Sequence, residues 1–168
     1  MHVTPALLKC HHYFVTDLMV AANPEYNDKQ PVDLKFSDLQ IDSTIKQLPK
    51  KLDGRLWRVI LQIQQNVGPD KNSPYNFSIT MLGHYEVSPS LSADRVHAFV
   101  TINGSSILYS TARQILKGAM HNGPYPTLEL PTVCFHDSEP PSPAKGVAEP
   151  AATYGKKNKP QKRSSAKK

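Results

Sequence analysis

In the middle of the chain apolar and polar residues alternate strictly, and further on the apolar spacing lengthens to that of a helix. Over residues 56–66, Trp57, Val59, Leu61 and Ile63 occupy one parity and Arg58, Gln62 and Gln64 the other. Strand side chains point alternately to the two faces, so this pattern predicts a strand with one buried face. Leu56 and Ile60 break it. A polar loop at 68–74 leads into residues 75–87, where Tyr75, Phe77, Ile79, Met81, Tyr85 and Val87 oppose Asn76, Ser78, Thr80, His84 and Glu86. So short a connection predicts an antiparallel pair.

Two earlier stretches are less regular. Residues 10–21 are rich in β-branched and aromatic side chains and carry apolar residues at both parities. That predicts a strand covered on both faces, one of them by another subunit. Over residues 32–41, Val32, Leu34 and Phe36 alternate before the phase shifts to Leu39 and Ile41, which predicts a strand bulged near Ser37 and Asp38.

From residue 92 to 120 the period becomes helical. Leu108, Ala112, Ile115 and Ala119 recur at spacings of four, three and four, flanked by Ile107, Leu116 and Met120, with Arg113, Gln114 and Lys117 on the other side. Glycine weakens helix interiors, so a bend or break is expected at Asn103 and Gly104. Asn122, Gly123 and Pro124 end the helix. These elements define an α+β fold: a four-stranded antiparallel sheet, with a long connection between strands 1 and 2 and helices packed on one face.

Charge changes this picture at the C-terminus. The chain has 168 residues, enough for one domain with a real core plus a tail, with 20 Lys and Arg against 14 Asp and Glu. Residues 156–168 hold seven of those cations and no acid, so the rest of the chain carries a net charge of minus one. The body is therefore no basic nucleic-acid groove. Residues 138–168, Pro-rich and then Lys-rich, have the composition of a disordered tail, which leaves 1–137 as the folded domain. Two cysteines, Cys10 and Cys134, suit a reducing compartment. The opening lacks the pattern of a secretory signal and no stretch is apolar for long enough to span a bilayer. A cytoplasmic protein without membrane insertion is expected.

Two segments resemble the SecB protein-export chaperones. Ile107-Leu108-Tyr109-Ser110-Thr111-Ala112-Arg113-Gln114 is similar to the family's N-x-L-F-P-Y-A-R-E helix. Gly123-Pro124-Tyr125-Pro126-Thr127-Leu128-Glu129-Leu130, continuing through Val133-Cys134-Phe135, is similar to its G-x-F-P-x-L-N-L-x-P-V-N-F. The likeness runs from about Tyr13 to Phe135 and includes the order of elements, with a crossover between strands 1 and 2. It implies an ATP-independent, cofactor-free chaperone that binds unfolded polypeptides in apolar grooves, for protein export or for a dedicated client. It also implies a homo-tetramer, a dimer of dimers, with the first strand and the long helix at subunit interfaces. Phe36, Leu39, Ile41, Leu128, Leu130 and Phe135 are then the candidate client groove, and Tyr13, Val15, Leu108, Ala112, Ile115 and Ala119 the candidate interface. Members that deliver clients to the SecA motor use acidic residues on the outer sheet face. Asp17 stands where one such acid is expected, whereas Ala21 and Thr80 replace glutamates, which argues against SecA as a partner. Ser110 replaces the helix proline, and after Phe135 the family's final helix gives way to a Pro-rich run, so that helix is expected to be short or absent.

Other candidate chemistry is weak. Cys10-His11-His12 and Cys134 with His136 offer zinc-type ligands without paired spacing, and adjacent strand residues point to opposite faces, so no metal is expected. Arg113 reads as structural and Trp57 as core. No acid and base constellation suggests an enzyme. An alternative function rests on the tail, whose cations suit nucleic acid, ribosome or acidic surfaces. A plain dimerisation module is a third reading.

Overall fold

In the structure, a computed structural model, residues 6–32, 34–49, 55–65 and 71–136 are described. The tail expected at 138–168 lies outside them, as does the place of the family's final helix. Strand β1 (Leu8–Ala22) is followed by a short 3-10 turn (Phe36–Asp38), β2 (Leu39–Gln47), β3 (Leu56–Gln65), β4 (Tyr75–Val87) and one long helix, α1 (Ala93–His121). The sheet is antiparallel with spatial order β1-β4-β3-β2, so β1 and β2 lie at opposite edges and the segment between them crosses over. This is the α+β architecture expected, with a single helix rather than several among the described residues.

The core follows from the alternation. Val59, Leu61 and Ile63 of β3 and Phe77, Ile79, Met81 and Tyr85 of β4 are buried against Val100, Leu108, Ala112, Leu116 and Met120 of α1. Burying one such large side chain contributes roughly 1.5–3 kcal/mol, which is what draws the helix onto the sheet. Trp57 is buried as expected.

Three expectations are corrected. α1 runs unbroken through Asn103 and Gly104. Gly104 is buried, and a Cβ there would stand 2.9 Å from Val59 Cγ2, so the missing side chain lets the helix come down on β3. The Tyr85 hydroxyl also donates to the Gly104 carbonyl at 3.1 Å. Close packing and that bond outweigh glycine's propensity cost of about 1 kcal/mol.

The phase shift near Ser37 and Asp38 is the 3-10 turn, not a bulge. The Asp38 carboxylate accepts the Lys35 N–H at 2.8 Å and lies 3.5 Å from Lys71 Nζ. The Lys35 amide, more than the Lys71 charge, holds its pKa below the usual carboxylate value.

The bulges belong to β1 instead, between Cys10 and His12 and between Val15 and Asp17. Each extra residue flips the parity. Leu8, Cys10, Tyr13, Val15, Leu18 and Val20 therefore all stand opposite inward-facing β4 residues, from Val87 to Phe77. Part of the mixed parity in the sequence thus records two bulges, while Phe14 and Met19, opposite Leu82 and Ser78, put apolar side chains on the outer face as well. Within one chain most of β1 is uncovered, since it is an edge strand and α1 packs chiefly on β4 and β3.

Candidate functional site

After α1 the chain doubles back along the helix as an extended segment, residues 125–135, fastened by two tyrosines. The Tyr75 hydroxyl donates to the Tyr125 carbonyl at 2.7 Å, with the Met120 carbonyl at 3.2 Å, and its oxygen accepts the Tyr125 N–H at 3.0 Å. The Tyr109 hydroxyl donates to the Pro131 carbonyl at 2.8 Å, and its ring meets that of Phe135 edge-on. Burial raises the Tyr109 pKa, so it stays a donor. Between these points Lys117 pairs with Glu129 and holds that carboxyl below its ordinary pKa. Both side chains are well exposed, so this pair adds little stability. Tyr26 of the crossover packs on Tyr125 with ring centroids 5.0 Å apart, which ties crossover and C-terminal segment together.

Sequence reading did not single out Tyr75 and Tyr109. Their signal was a hydroxyl-bearing aromatic at a core position, which must find a partner when buried. It also missed Ser43 and Ser105, whose hydroxyls meet at 2.6 Å and join β2 to the middle of α1.

The candidate groove residues do not all share one surface. Leu39, Leu128 and Leu130 are buried in the core cluster, and Ile41 and Phe135 pack half-buried against it. Phe36, on the 3-10 turn, is 59% exposed. As placed, Leu128 and Leu130 have almost no surface to offer a client.

The candidate interface residues divide as well. Tyr13 and Val15 are exposed at 51% and 40%, and Ile115 and Ala119 are half-buried. Leu108 and Ala112, by contrast, are fully buried by the chain's own sheet and have nothing to give another subunit. Beside Ala119 a shallow cavity of about 370 Å³ opens between β1 and the end of α1, lined by Leu18, Val20, Ala22 and Tyr75. Asp17 stands on the outer face opposite Thr80, and Ala21 opposite Asn76.

Cys10 is half-buried and Cys134 exposed, both as free thiols. Among the described residues no three His, Cys, Asp or Glu gather as metal ligands, and no helix is long and apolar enough to cross a membrane.

A twisted antiparallel sheet with a crossover between its edges, one long helix on one face and a C-terminal segment pinned along that helix define an α+β protein of the type found in protein-export chaperones. The sequence pattern of the SecB family, described as preprotein translocase subunit SecB, matches residues 9–137, and the chain belongs to that family. A SecB-like chaperone of Mycobacterium tuberculosis, solved with a ChAD peptide from the HigA1 antitoxin, shares the fold with a TM-score of 0.56. The two are 12% identical over 75% of this chain and 90% of that one. A protein of unknown function from Streptococcus agalactiae matches with a TM-score of 0.44 and 13% identity, over 74% of this chain and 97% of that one. No curated protein sequence matches.

Proposed function

We propose that the protein is an ATP-independent chaperone that holds unfolded polypeptide segments in the cytoplasm, for export or for a dedicated client, without cofactor or catalysis. Family membership over residues 9–137 supports the chaperone class. The observation that carries client binding is Phe36, a large apolar side chain displayed to solvent where the crossover enters β2. A lone exposed aromatic is common on protein surfaces, so Phe36 counts here together with Val32, which is also exposed on the crossover. Ile41 and Phe135, half-buried against the core, are the further candidates, while Leu128 and Leu130 become available only when the pinned segment lifts from the core. The mycobacterial relative, solved with a peptide, offers a precedent for a polypeptide ligand on this fold.

Assembly follows from β1. Its helix-side residues Tyr13, Val15 and Leu18 are left uncovered next to the cavity at Ala119, a surface suited to a second copy and, through it, to a dimer of dimers. SecA is not part of this reading, because Asp17 alone keeps an acid at the positions named for that contact.

The test is dilution of a chemically unfolded client into buffer with the protein and no nucleotide. Aggregation should be suppressed by the native chain and less so by Phe36→Asp; aggregation unchanged by the native chain would refute the proposal. A second reading rests on the seven cations of residues 156–168. It predicts salt-sensitive binding to single-stranded nucleic acid that disappears when those residues are removed.

A further inference from the structure

The sheet face turned away from α1 is patterned in rows that the client and assembly surfaces do not use. His12 pairs with His84, His84 with Arg58, and Arg58 with Lys46, so one row of nitrogen side chains crosses all four strands. With strands about 4.8 Å apart, this row is about 14 Å long. Two residues along each strand, about 7 Å away, lies a second row: Phe14, Leu82, Ile60 and Thr44. Phe14 is 52% exposed, and Leu82 and Ile60 are half-buried.

The two rows touch. The His84 ring meets Phe14 edge-on at 6.2 Å between centroids, and Arg58 Nε donates to His84 Nε2 at 3.3 Å. That bond requires His84 to accept, so its ring is neutral and the guanidinium carries the charge. Glu86, two residues beyond His84 on β4, carries an acid at this end of the face, and it is engaged by His11 at 2.8 Å. Among the described residues neither Arg58 nor Lys46 has a carboxylate partner. Lys9, opposite Glu86, adds a further cation. The acids Asp17 and Asp42 stand on the far side of the apolar row, across Thr80 and Gln62.

We propose that this half of the outer face docks an acidic segment of a partner polypeptide, its carboxylates over Arg58 and Lys46 and its apolar side chains on Phe14, Leu82 and Ile60. Charge complementarity selects the occupant. A face with unpaired cations beside exposed apolar surface favours a ligand that supplies both carboxylates and apolar groups. Nucleic acid fits less well, since its phosphates would run from the cationic row onto an apolar ridge and then onto Asp17 and Asp42. The inference does not depend on the client-binding reading, because none of its residues belongs to the candidate groove.

The experiment uses the full chain and a fluorescent peptide built of Glu and Leu, with counterparts in which Gln or Lys replaces Glu. Saturable binding of the Glu peptide is expected, with the Gln peptide at least about tenfold weaker and binding falling as salt rises. The double variant R58E and K46E, checked for its fold by circular dichroism, should lose the Glu peptide and take the Lys peptide instead. Phe36→Asp should leave Glu-peptide binding intact. Equal binding of the Glu and Gln peptides, or indifference to charge reversal, would overturn the proposal. Displacement of the peptide by single-stranded DNA, with residues 156–168 removed so that the tail does not account for it, would do so as well, assigning the row to phosphate. A change in oligomeric state on charge reversal would assign it to a second copy.

Discussion

Tyr75 at the start of β4 and Tyr125 beyond the end of α1 are joined in both directions: the Tyr75 hydroxyl donates to the Tyr125 carbonyl and accepts its amide N–H. One side chain thus satisfies both backbone polar groups of a residue that belongs to no strand or helix. Tyr75→Phe keeps the packed ring but leaves that carbonyl and amide without their partner. The expected cost is about 1–3 kcal/mol, the penalty for unmade hydrogen bonds at a half-buried site. Urea unfolding checks the magnitude. Hydrogen exchange checks the location, with protection falling at Tyr125, whose N–H the Tyr75 hydroxyl accepts, well before it falls in β3. If that amide keeps its protection, the tyrosine is not what holds the segment down.

The two α1 glycines predict substitutions of opposite sign. At Gly118 an added Cβ meets nothing within 4 Å and the position is exposed, so Gly118→Ala should stabilise by about 0.5–1 kcal/mol through helix propensity and reduced chain entropy. At Gly104 the same methyl would press on Val59 Cγ2 and come within 3.6 Å of the Tyr85 ring. Overpacking costs typically about 1–3 kcal/mol, so Gly104→Ala should destabilise despite the better propensity. Thermal unfolding of both variants distinguishes them. A stabilised Gly104→Ala would mean that Val59 yields to the added methyl and that close packing does not decide this position.

Gly104 also shows what could be read from the sequence and what could not. Alternation in β3 and β4 depends on each residue and its near neighbours, so those strands, their pairing and the end of α1 at Asn122 were legible. Whether a glycine breaks a helix or seats it depends on what lies opposite, here Val59, which is 45 residues away and enters only through the sheet register. The same holds for β1, where two bulges scramble the period that strand prediction relies on. It holds again for Leu108 and Ala112, which one helical face groups with Ile115 and Ala119, although only the structure shows that the sheet already covers the first pair. Resemblance supplied the candidate groove residues together, but burial separates Phe36 from Leu128 and Leu130.

That separation on α1 and β1 gives a test of assembly. If β1 forms the subunit contact, Tyr13→Glu with Val15→Glu should shift the protein to a smaller species in light scattering while its circular dichroism is kept, since both side chains are largely exposed in one chain. Leu108→Ala should behave in the opposite way. It removes a fully buried side chain and should cost about 2–5 kcal/mol of stability, with no effect on subunit number in the fraction that remains folded. Unchanged mass for the β1 double variant would move the interface elsewhere.

The histidine row makes stability depend on pH. His84 is held below its ordinary pKa of 6.5, first by burial and then by Arg58, His12 and His11, the charged or titratable groups around it on β3 and β1. A histidine that protonates less readily folded than unfolded leaves the unfolded state binding more protons between the two pKa values, and stability there rises with pH. The contribution of His84 is therefore fully present above about pH 6.5 and is lost as the pH falls from that value through the lower folded one. His84→Gln should flatten this part of the profile of urea midpoint against pH. NMR titration of the native chain should show the His84 ring protonating below pH 6.5, its ordinary value. A His84 titrating at or above 6.5 would remove the basis for the slope.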